Sequence, residues 1–402
     1  MTDSINNFCH SEECNDEESH KNFRELFTMY NLGVIGSGSR MTELVRKMIA
    51  YPDIKLQAVA DPRVDAMKAN YNDVDGIAFY ETAEEMLANE KLDCIAIGTR
   101  CDTHTKYALM AAKLNVPIFL EKPVSITDEQ LEELKALMPM SDRVVVSFPL
   151  RYSVIVEKVK EIIDRGTIGS VQHVQAVNNV PYAGGYYHKW YRDESITGGL
   201  FLQKSTHDLD YINYVLGNVK PIKLCAMNSK TVFKGDMPEG QRCFDCPHKD
   251  ECPDNWSDKT PTDNGYRIND YCCFAKDTGN EDSGSCIVMY ENGVHAVYSQ
   301  DFIARKGAGK RGARFIGYRG TVEFDFYTGI IKVIHHHEDI VEELKFVSSG
   351  GHHGGDKILV QNFVDVIRGN AKSCATLESG ILSAKMCLAA KSSAKNFMFY
   401  DI

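Results

Sequence analysis

The segment YNLGVIGSGSRMTELVRKMIAYPDIKLQAVAD, residues 30–61, decides the fold of this chain. Residues 32–35 form a short apolar run that suits a buried parallel strand, and a glycine-rich turn follows directly. Apolar residues then recur with helical spacing between residues 42 and 49. A second apolar run, residues 54–60, ends in Asp61. This order of strand, glycine turn, helix, strand and acid predicts a dinucleotide-binding βαβ unit.

Each part of this unit has a physical role. Gly36 permits the tight turn, and Gly38 lets the backbone approach a pyrophosphate at the helix N-terminus. Met41 occupies the third glycine position, so we expect the helix and strand to lie slightly further apart. Asp61 can accept hydrogen bonds from ribose hydroxyls and repels a 2′-phosphate, which favours NAD over NADP. Arg63 would offset that repulsion or stack on the adenine.

The composition sets outer limits on the function. The chain has 402 residues, 43% hydrophobic and 25% charged, which suits two soluble domains. A net charge of −11 argues against a nucleic-acid partner, and the sequence has no apolar run of membrane-spanning length. Thirteen cysteines without an export signal indicate a reducing, cytoplasmic location. The acidic residues 1–29 are expected to form a solvated, disordered tail.

Helical and strand patterns alternate up to residue 148 and then change. We therefore predict an α/β protein with an N-terminal Rossmann dinucleotide-binding domain, residues 30–148, built on a parallel sheet. Residues 149–402 are expected to form an α+β domain for substrate binding and oligomerisation, with a large, mostly antiparallel open sheet. A cysteine-rich insertion interrupts this domain at about residues 229–283.

Two segments carry the candidate catalytic residues. Lys122 lies in a Glu-Lys-Pro tripeptide at the end of a predicted parallel strand, where an ammonium group could polarise a substrate hydroxyl. His207 follows a Gly-Gly segment and precedes Asp208 and Asp210, which could orient it and tune it as a base at neutral pH. Gln203 is expected to share a helical face with His207.

The GVIGSGSR turn, the Glu-Lys-Pro tripeptide and the segment ending in His-Asp-Leu-Asp together resemble the glucose–fructose oxidoreductase, inositol dehydrogenase and MocA family over roughly residues 30–395. The resemblance implies that Lys122 and His207 are the catalytic lysine and histidine. It also implies a homodimer or homotetramer formed through the C-terminal sheet. Many members have an acid at the position of Gln203, and a glutamine cannot relay a proton.

The candidate binding residues follow from these motifs. The residues expected to bind the cofactor are Gly36, Ser37, Gly38, Arg40, Met41, Asp61, Arg63, Thr99, His104, Glu121 and Lys122. The residues expected to bind the substrate are Tyr182, Trp190, Arg192, Gln203, Lys204, His207, His353 and Asp356. His353 and Asp356 belong to a Gly-His-His-Gly-Gly-Asp segment, whose glycines permit close approach to a ligand.

The insertion carries a further candidate site. Its cysteine spacing suits a structural tetrahedral zinc held by Cys243, Cys246, Cys252 and Cys272. The alternative is a set of reduced, buried cysteines in an irregular loop.

These observations predict an NAD-dependent oxidoreductase that transfers hydride to or from a ring secondary alcohol of a sugar, glycoside or cyclitol. One alternative is a glycoside-cleaving enzyme that retains NAD, oxidises C3 transiently and eliminates the aglycone without net redox change. A second alternative is a catalytically silent protein that senses NAD or a sugar.

Overall fold

The computed structural model of the chain describes residues 28–217, 219–259, 262–263, 266–267, 270–347 and 351–402. The predicted acidic tail, except for residues 28 and 29, lies outside the described residues. Among the helices described, none has both the length and the apolar character needed to cross a membrane.

The N-terminal part of the described chain forms a parallel sheet. Its strands are β1 (Tyr30–Ile35), β2 (Ile54–Ala60), β3 (Ala78–Tyr80), β4 (Cys94–Ile97), β5 (Ile118–Leu120) and β6 (Val144–Val146). Every pairing is parallel, and the order is β3-β2-β1-β4-β5-β6. The order reverses between β1 and β4, which places a ligand crevice at the carboxyl ends of these two strands.

Helices cover this sheet on both faces, so its central strands are apolar and fully buried. The helices are α1 (Ser39–Met48), α2 (Val64–Asn70), α3 (Ala83–Asn89), α4 (His104–Ala112) and α5 (Asp128–Leu134). Thr82 and Thr127 begin α3 and α5 by accepting hydrogen bonds from the backbone N–H groups of Glu85 and Gln130. A 3-10 segment containing Pro139 follows α5, because proline cannot continue the hydrogen-bond ladder.

The C-terminal part of the described chain forms a second, larger sheet. Its strands are β7 (Val171–Asn179), β8 (Pro221–Ser229), β11 (Ser283–Tyr290), β12 (His295–Asp301), β13 (Lys310–Gly317), β14 (Gly320–Asp325), β15 (Ile330–His335), β16 (Val341–Lys345) and β17 (Tyr400–Asp401); a short hairpin, β9 (Thr262–Asp263) and β10 (Tyr266–Arg267), lies in the insertion. The order is β16-β15-β14-β13-β7-β12-β11-β8-β17, and only the β12–β7 pair is parallel within the described strands. The predicted fold class is therefore confirmed.

Helices cover one face of this second sheet. The helices that follow β6 are α6 (Val154–Asp164), α7 (Gly184–His188), α8 (Glu194–Thr197), α9 (Thr206–Leu216), α10 (Gly355–Ile367) and α11 (Leu377–Asn396), of which α6, α9 and α11 contact this sheet. Burial alternates along β11, so its even-numbered residues face the helices and its odd-numbered residues face outward. A π-helical turn, Phe201–Ser205, leads into α9 and was not predicted. We propose that the domains divide near residue 149, where the chain leaves β6.

Helix α10 joins the second domain to the first. Arg368, just after its last turn, donates to both carboxylate oxygens of Asp53 at 2.7 Å. At its other end, Asp356 accepts hydrogen bonds from Arg40 on α1. The crevice of the parallel sheet and the start of α10 are therefore in direct contact.

Candidate active site

The turn between β1 and α1 can accept a phosphate group. Gly36 has a φ of +74°, and a Cβ atom there would lie 2.8 Å from the backbone nitrogen of Thr99. Gly38 begins α1, and a Cβ atom there would meet nothing within 4 Å. The first turn of α1 contains no acidic residue. Its free N–H groups therefore face open space with a favourable dipole for an anion.

Met41 does not widen the gap between helix and strand as expected. Its side chain is 1% exposed and packs over the end of β4. A Cβ atom on Gly98 would lie 2.7 Å from the Cβ atom of Met41. The glycine that permits close packing is thus on the strand, and we assign Met41 to the core.

Asp61 is placed to receive hydrogen-bond donors at the end of β2. It is 4% exposed and accepts from the backbone N–H of Ser37 at 3.1 Å. Its oxygens also accept from the backbone and the guanidinium of Arg63 at 3.0–3.1 Å. Burial raises the pKa of Asp61, but the hydrogen bonds from Arg63 and Ser37 outweigh this and hold the pKa below its usual value.

Arg40 and Asp356, predicted to bind the cofactor and the substrate respectively, bind each other. Arg40 donates to Asp356 at 2.9 Å through Nη1, and its Nε lies 3.4 Å from Glu121. His352 Nδ1 lies 3.0 Å from the same Asp356 carboxylate. Burial opposes the charge on Asp356, but the bonds to His352 and Arg40 hold its pKa well below the usual range. The prediction that Asp356 binds sugar directly is therefore corrected, because both of its oxygens are occupied.

His104 and Thr99 lie at the end of β4. His104 is 1% exposed, with Nδ1 2.8 Å from the carbonyl of Pro123 and Nε2 3.2 Å from the carbonyl of Thr99. His104 therefore links the ends of two strands. We propose that it positions Thr99 and Lys122 and does not itself contact the dinucleotide.

Lys122 reaches across the domain boundary to Gln203. Its ammonium donates to the backbone carbonyl and to the side-chain Oε1 of Gln203, both at 2.8 Å. Burial, followed by repulsion from Lys204, lowers the pKa of Lys122 to about 8. The amide of Gln203 in turn donates to the thiol of Cys101 at 3.5 Å, a neighbour that the sequence did not indicate. Gln203 thus orients Lys122 without neutralising its charge.

His207 lies near Lys122 in a different environment from the one expected. Its Nδ1 is buried and has no hydrogen-bond partner among the described residues. Its ring packs against Phe148, and its centroid lies 6.0 Å from that of His352. Burial, then repulsion from Lys122, lowers its pKa well below 6.5, so the imidazole is neutral at neutral pH.

The two aspartates that were expected to tune His207 are engaged elsewhere. Asp208 accepts from Arg311 at 2.8 and 3.1 Å and from Asn178 at 2.8 Å. Asp210 accepts from Nε and Nη2 of Arg151, which form one edge of the guanidinium. The prediction that the aspartates tune His207 as a base is therefore wrong, because both carboxylates form ion pairs with arginines on distant segments.

A cavity of about 220 Å³ opens beside His352. It is lined by Leu150, Tyr182, Arg311, Phe326, Tyr327, His352 and His353. Tyr182 and His353 were predicted as substrate contacts, whereas Arg311 and Tyr327 were missed. The sequence does contain a pattern that could have identified Arg311. It is a basic residue at an inward position of the alternating strand Lys310–Gly317, where the neighbouring inward positions are apolar. Lys204 lies behind Tyr182 and donates to its hydroxyl at 2.7 Å.

Trp190 and Arg192 lie apart from this cavity. The guanidinium of Arg100 stacks 3.5 Å from the ring centroid of Trp190, whose other neighbour is Tyr191. Arg192 is 4% exposed and donates to Asp277 and Thr278, both at 2.8 Å. We therefore reassign Arg192 from sugar binding to anchoring the end of the insertion.

The insertion does not form the predicted zinc site. Within the described part of the chain, no group of three or more His, Cys, Asp or Glu residues is arranged to hold a metal ion. Cys243 Sγ lies 3.7 Å from His188 Nδ1 and 3.8 Å from the carbonyl of Tyr271. Burial raises the pKa of the Cys243 thiol to about 11, which favours a protonated hydrogen-bond donor over a thiolate ligand. The structure therefore supports reduced cysteines here.

Comparison with known families agrees with this geometry. Residues 30–148 match the sequence model of an oxidoreductase family with an NAD-binding Rossmann fold, and residues 156–323 match the GFO/IDH/MocA C-terminal domain. The chain belongs to the Gfo/Idh/MocA oxidoreductase family. It is accordingly an NAD-binding oxidoreductase, and the cradle at α1 and the acid at Asp61 fit the dinucleotide.

Known members of the Gfo/Idh/MocA family are distant in sequence. The oxidoreductase YteT of Bacillus subtilis is 27% identical over 69% of this chain and 73% of its own length. A myo-inositol 2-dehydrogenase of Thermotoga maritima is 26% identical over 46% of this chain and 54% of its own length. The structure of levoglucosan dehydrogenase with NADH and levoglucosan is 15% identical, has a TM-score of 0.74, and aligns over 93% of this chain and 99% of that chain. At that identity the structural likeness supports the fold alone.

Proposed function

We propose that this protein is an NAD-dependent oxidoreductase that oxidises or reduces a ring secondary alcohol of a sugar, glycoside or cyclitol. One observation carries the proposal: Lys122, at the carboxyl edge of the nucleotide-binding sheet, acts electrostatically on His207, whose ring centroid lies 6.0 Å from that of His352 on the wall of a small cavity. Relatives named as inositol 2-dehydrogenases support the choice of a polyhydroxylated ring.

The residues of the chain divide the proton chemistry between them. NAD, when bound, supplies the acceptor for the substrate hydride. His207 is neutral and accepts the hydroxyl proton. The ammonium of Lys122 donates to the substrate oxygen and stabilises the negative charge that develops there. Gln203 holds Lys122 in place through two hydrogen bonds and needs no proton of its own.

The cofactor preference in this proposal depends on Asp61. Its carboxylate is buried, ionised and held by Ser37 at the end of β2. Arg63, whose side chain is 61% exposed, is free to release Asp61 when ribose hydroxyls arrive. A 2′-phosphate would meet the carboxylate instead, so the proposed cofactor is NAD.

We further propose that the protein is a homodimer or homotetramer, assembled through the outer face of the second sheet. This face exposes three large apolar side chains that belong to neighbouring strands, namely Met227 on β8 and Ile287 and Met289 on β11. Their exposed fractions are 65%, 46% and 49%. Contiguous exposed apolar surface of this kind is typical of protein interfaces.

The proposal is tested by following NADH formation with a panel of sugars, glycosides and cyclitols. Lys122→Met should reduce turnover by about a thousandfold or more while NAD⁺ binding is retained, because the lost interaction forms chiefly in the transition state. Lys113→Met, which removes an exposed lysine of the same domain, is the matched control. Retained NAD⁺ binding with no substrate oxidised by the wild type would contradict the proposal.

The same preparation separates a dehydrogenase from a glycoside-cleaving enzyme. Nicotinamide released on denaturing freshly purified protein should be far below one equivalent per chain if the cofactor exchanges during turnover. A full equivalent, together with aglycone release and no net NADH, would contradict a dehydrogenase.

A further inference from the structure

The cavity beside His352 has an unusual charge balance for a site that binds neutral sugars. Arg311, His352 and His353 are on its wall, and none of its lining residues is acidic in the described structure. Lys204 lies directly behind the wall, bound to Tyr182. Arg311 therefore places a permanent positive charge on a cavity wall that has no carboxylate among its lining residues.

Arg311 is held so that part of its guanidinium is free. Its Nε and Nη2 donate to Asp208 at 2.8 and 3.1 Å, and the residue is 8% exposed. Its Nη1 has no hydrogen-bond partner among the residues described, and the cavity is in front of it. A guanidinium with one edge fixed by a carboxylate can present the other edge to a second carboxylate.

Lys204 is buried without an anionic partner. It is 6% exposed, and no carboxylate within the described residues lies within 4 Å of its Nζ. Its neighbours are the hydroxyl of Tyr182 and the rings of Tyr182 and Tyr186, at 4.5 and 4.8 Å from Nζ to the centroids. Asp208 is the nearest acid to act on it, but Arg311, Asn178 and Tyr298 already bind that carboxylate.

We propose that the ring oxidised or reduced here carries a carboxylate, so the substrate is a sugar acid, and that Arg311 binds that group while Lys204, behind Tyr182, adds positive charge to the site. The inference rests on the proposed function, because it names the substrate class of the same site. A bound carboxylate would complete the hydrogen bonds of Arg311 and favour the charged form of Lys204, whose pKa is lowered by burial to about 7.

The dimensions of the cavity favour a carboxylate over a phosphate group. A volume of about 220 Å³ is small for a ligand site and has to hold both the ring and its anionic substituent. A planar carboxylate matches the free edge of Arg311, whereas a phosphate is larger and carries more charge.

The test is calorimetric binding of D-glucuronate and D-galacturonate, against D-glucose and D-galactose, to the full chain saturated with NAD⁺. The wild type should bind each acid about tenfold or more tightly than its neutral counterpart, as expected for one charged hydrogen-bonded pair. In Lys204→Gln this preference should fall at least about threefold, and Lys204→Arg should keep it. Lys310→Gln removes an exposed lysine on the same strand as Arg311 and should leave the preference unchanged.

The carboxylate site and the proposed dehydrogenase activity can fail independently of each other in this experiment. Equal or tighter binding of the neutral hexoses by the wild type would overturn the carboxylate site, even if those hexoses are oxidised. Tighter binding of D-glucose 6-phosphate than of D-glucuronate would also overturn it. A preference that is unchanged in folded Lys204→Gln would overturn the role of Lys204. Acid-selective binding without NADH formation would support the carboxylate site and contradict the proposed dehydrogenase.

Discussion

Lys122 sets the pH range in which the proposed chemistry can operate. Its pKa is about 8, lowered first by burial and then by Lys204 and Arg311, and raised by Glu121 and Cys101. The proposed reaction needs the ammonium form. With a neutral cyclitol as substrate, kcat/KM should therefore fall as the pH rises through about 8.

The acidic side of this pH profile should be flat near neutrality, because the pKa of His207 lies well below 6.5. Lys122→Arg is the informative variant: its rate will be lower, but the alkaline decrease should disappear, since arginine stays protonated. If the wild-type rate increases through the same pH range, neutral Lys122 is acting as a base and the assigned role is incorrect.

Asp61 governs the choice between NAD and NADP in the same proposal. Asp61→Ala removes the acceptor for the ribose hydroxyls and the repulsion of a 2′-phosphate, and leaves Arg63 unpaired. The ratio of kcat/KM for NAD to that for NADP should fall about ten- to a hundredfold, the size of one charged hydrogen bond. Asp65→Ala removes a fully exposed carboxylate four residues away and serves as the control. An unchanged ratio would show that other groups select the cofactor.

At the scale of elements, helix α9 is held in place by a buried ion pair. The side chains of Arg151 and Asp210 are 7% and 2% exposed, and burial raises the pKa of Asp210. Arg151→Met should lower the free energy of unfolding by about 3–5 kcal/mol, because it leaves a carboxylate buried without a partner. Urea unfolding measures this loss.

Lys160→Met is the matched comparison for that experiment, because Lys160 pairs with Asp164 at the surface of α6. Its cost should be below about 1 kcal/mol. Equal losses of unfolding free energy in the two variants would show that burial does not make the Arg151–Asp210 pair more important than a surface pair.

The elements were predictable from the sequence to different degrees. The first strand, helix and second strand follow from local apolar patterns: the predicted ranges 32–35, 42–49 and 54–60 lie within three residues of β1, α1 and β2. The partners of the charged residues cannot be read from local patterns. Asp210, Asp208 and Asp356 pair with arginines that lie 59, 103 and 316 positions away in the sequence. The roles of Lys122 and Tyr182 therefore stay predictions, whereas the partners of the aspartates and the position of Arg311 on the cavity wall were not foreseen.

At the scale of the whole molecule, the outer face of the second sheet should control assembly. The chain has a mass of 45.1 kDa, and light scattering after gel filtration should give at least twice this value. Ile287→Asp with Met289→Asp should yield a monomer, because charges would replace apolar contacts on the proposed interface. Tyr318→Asp changes a residue that is 76% exposed in the turn between β13 and β14 and should leave the assembly intact. A wild-type mass of one chain would contradict the proposed interface.

Met41 and Gly98 limit each other's substitution. Because each occupies the space that the other leaves, their substitutions are epistatic. Gly98→Ala alone should destabilise the protein, since the added methyl group overlaps Met41, and the same change after Met41→Gly should cost much less. We therefore expect a large side chain at position 41 to require glycine at position 98, whereas glycine at position 41 would accommodate either glycine or alanine there.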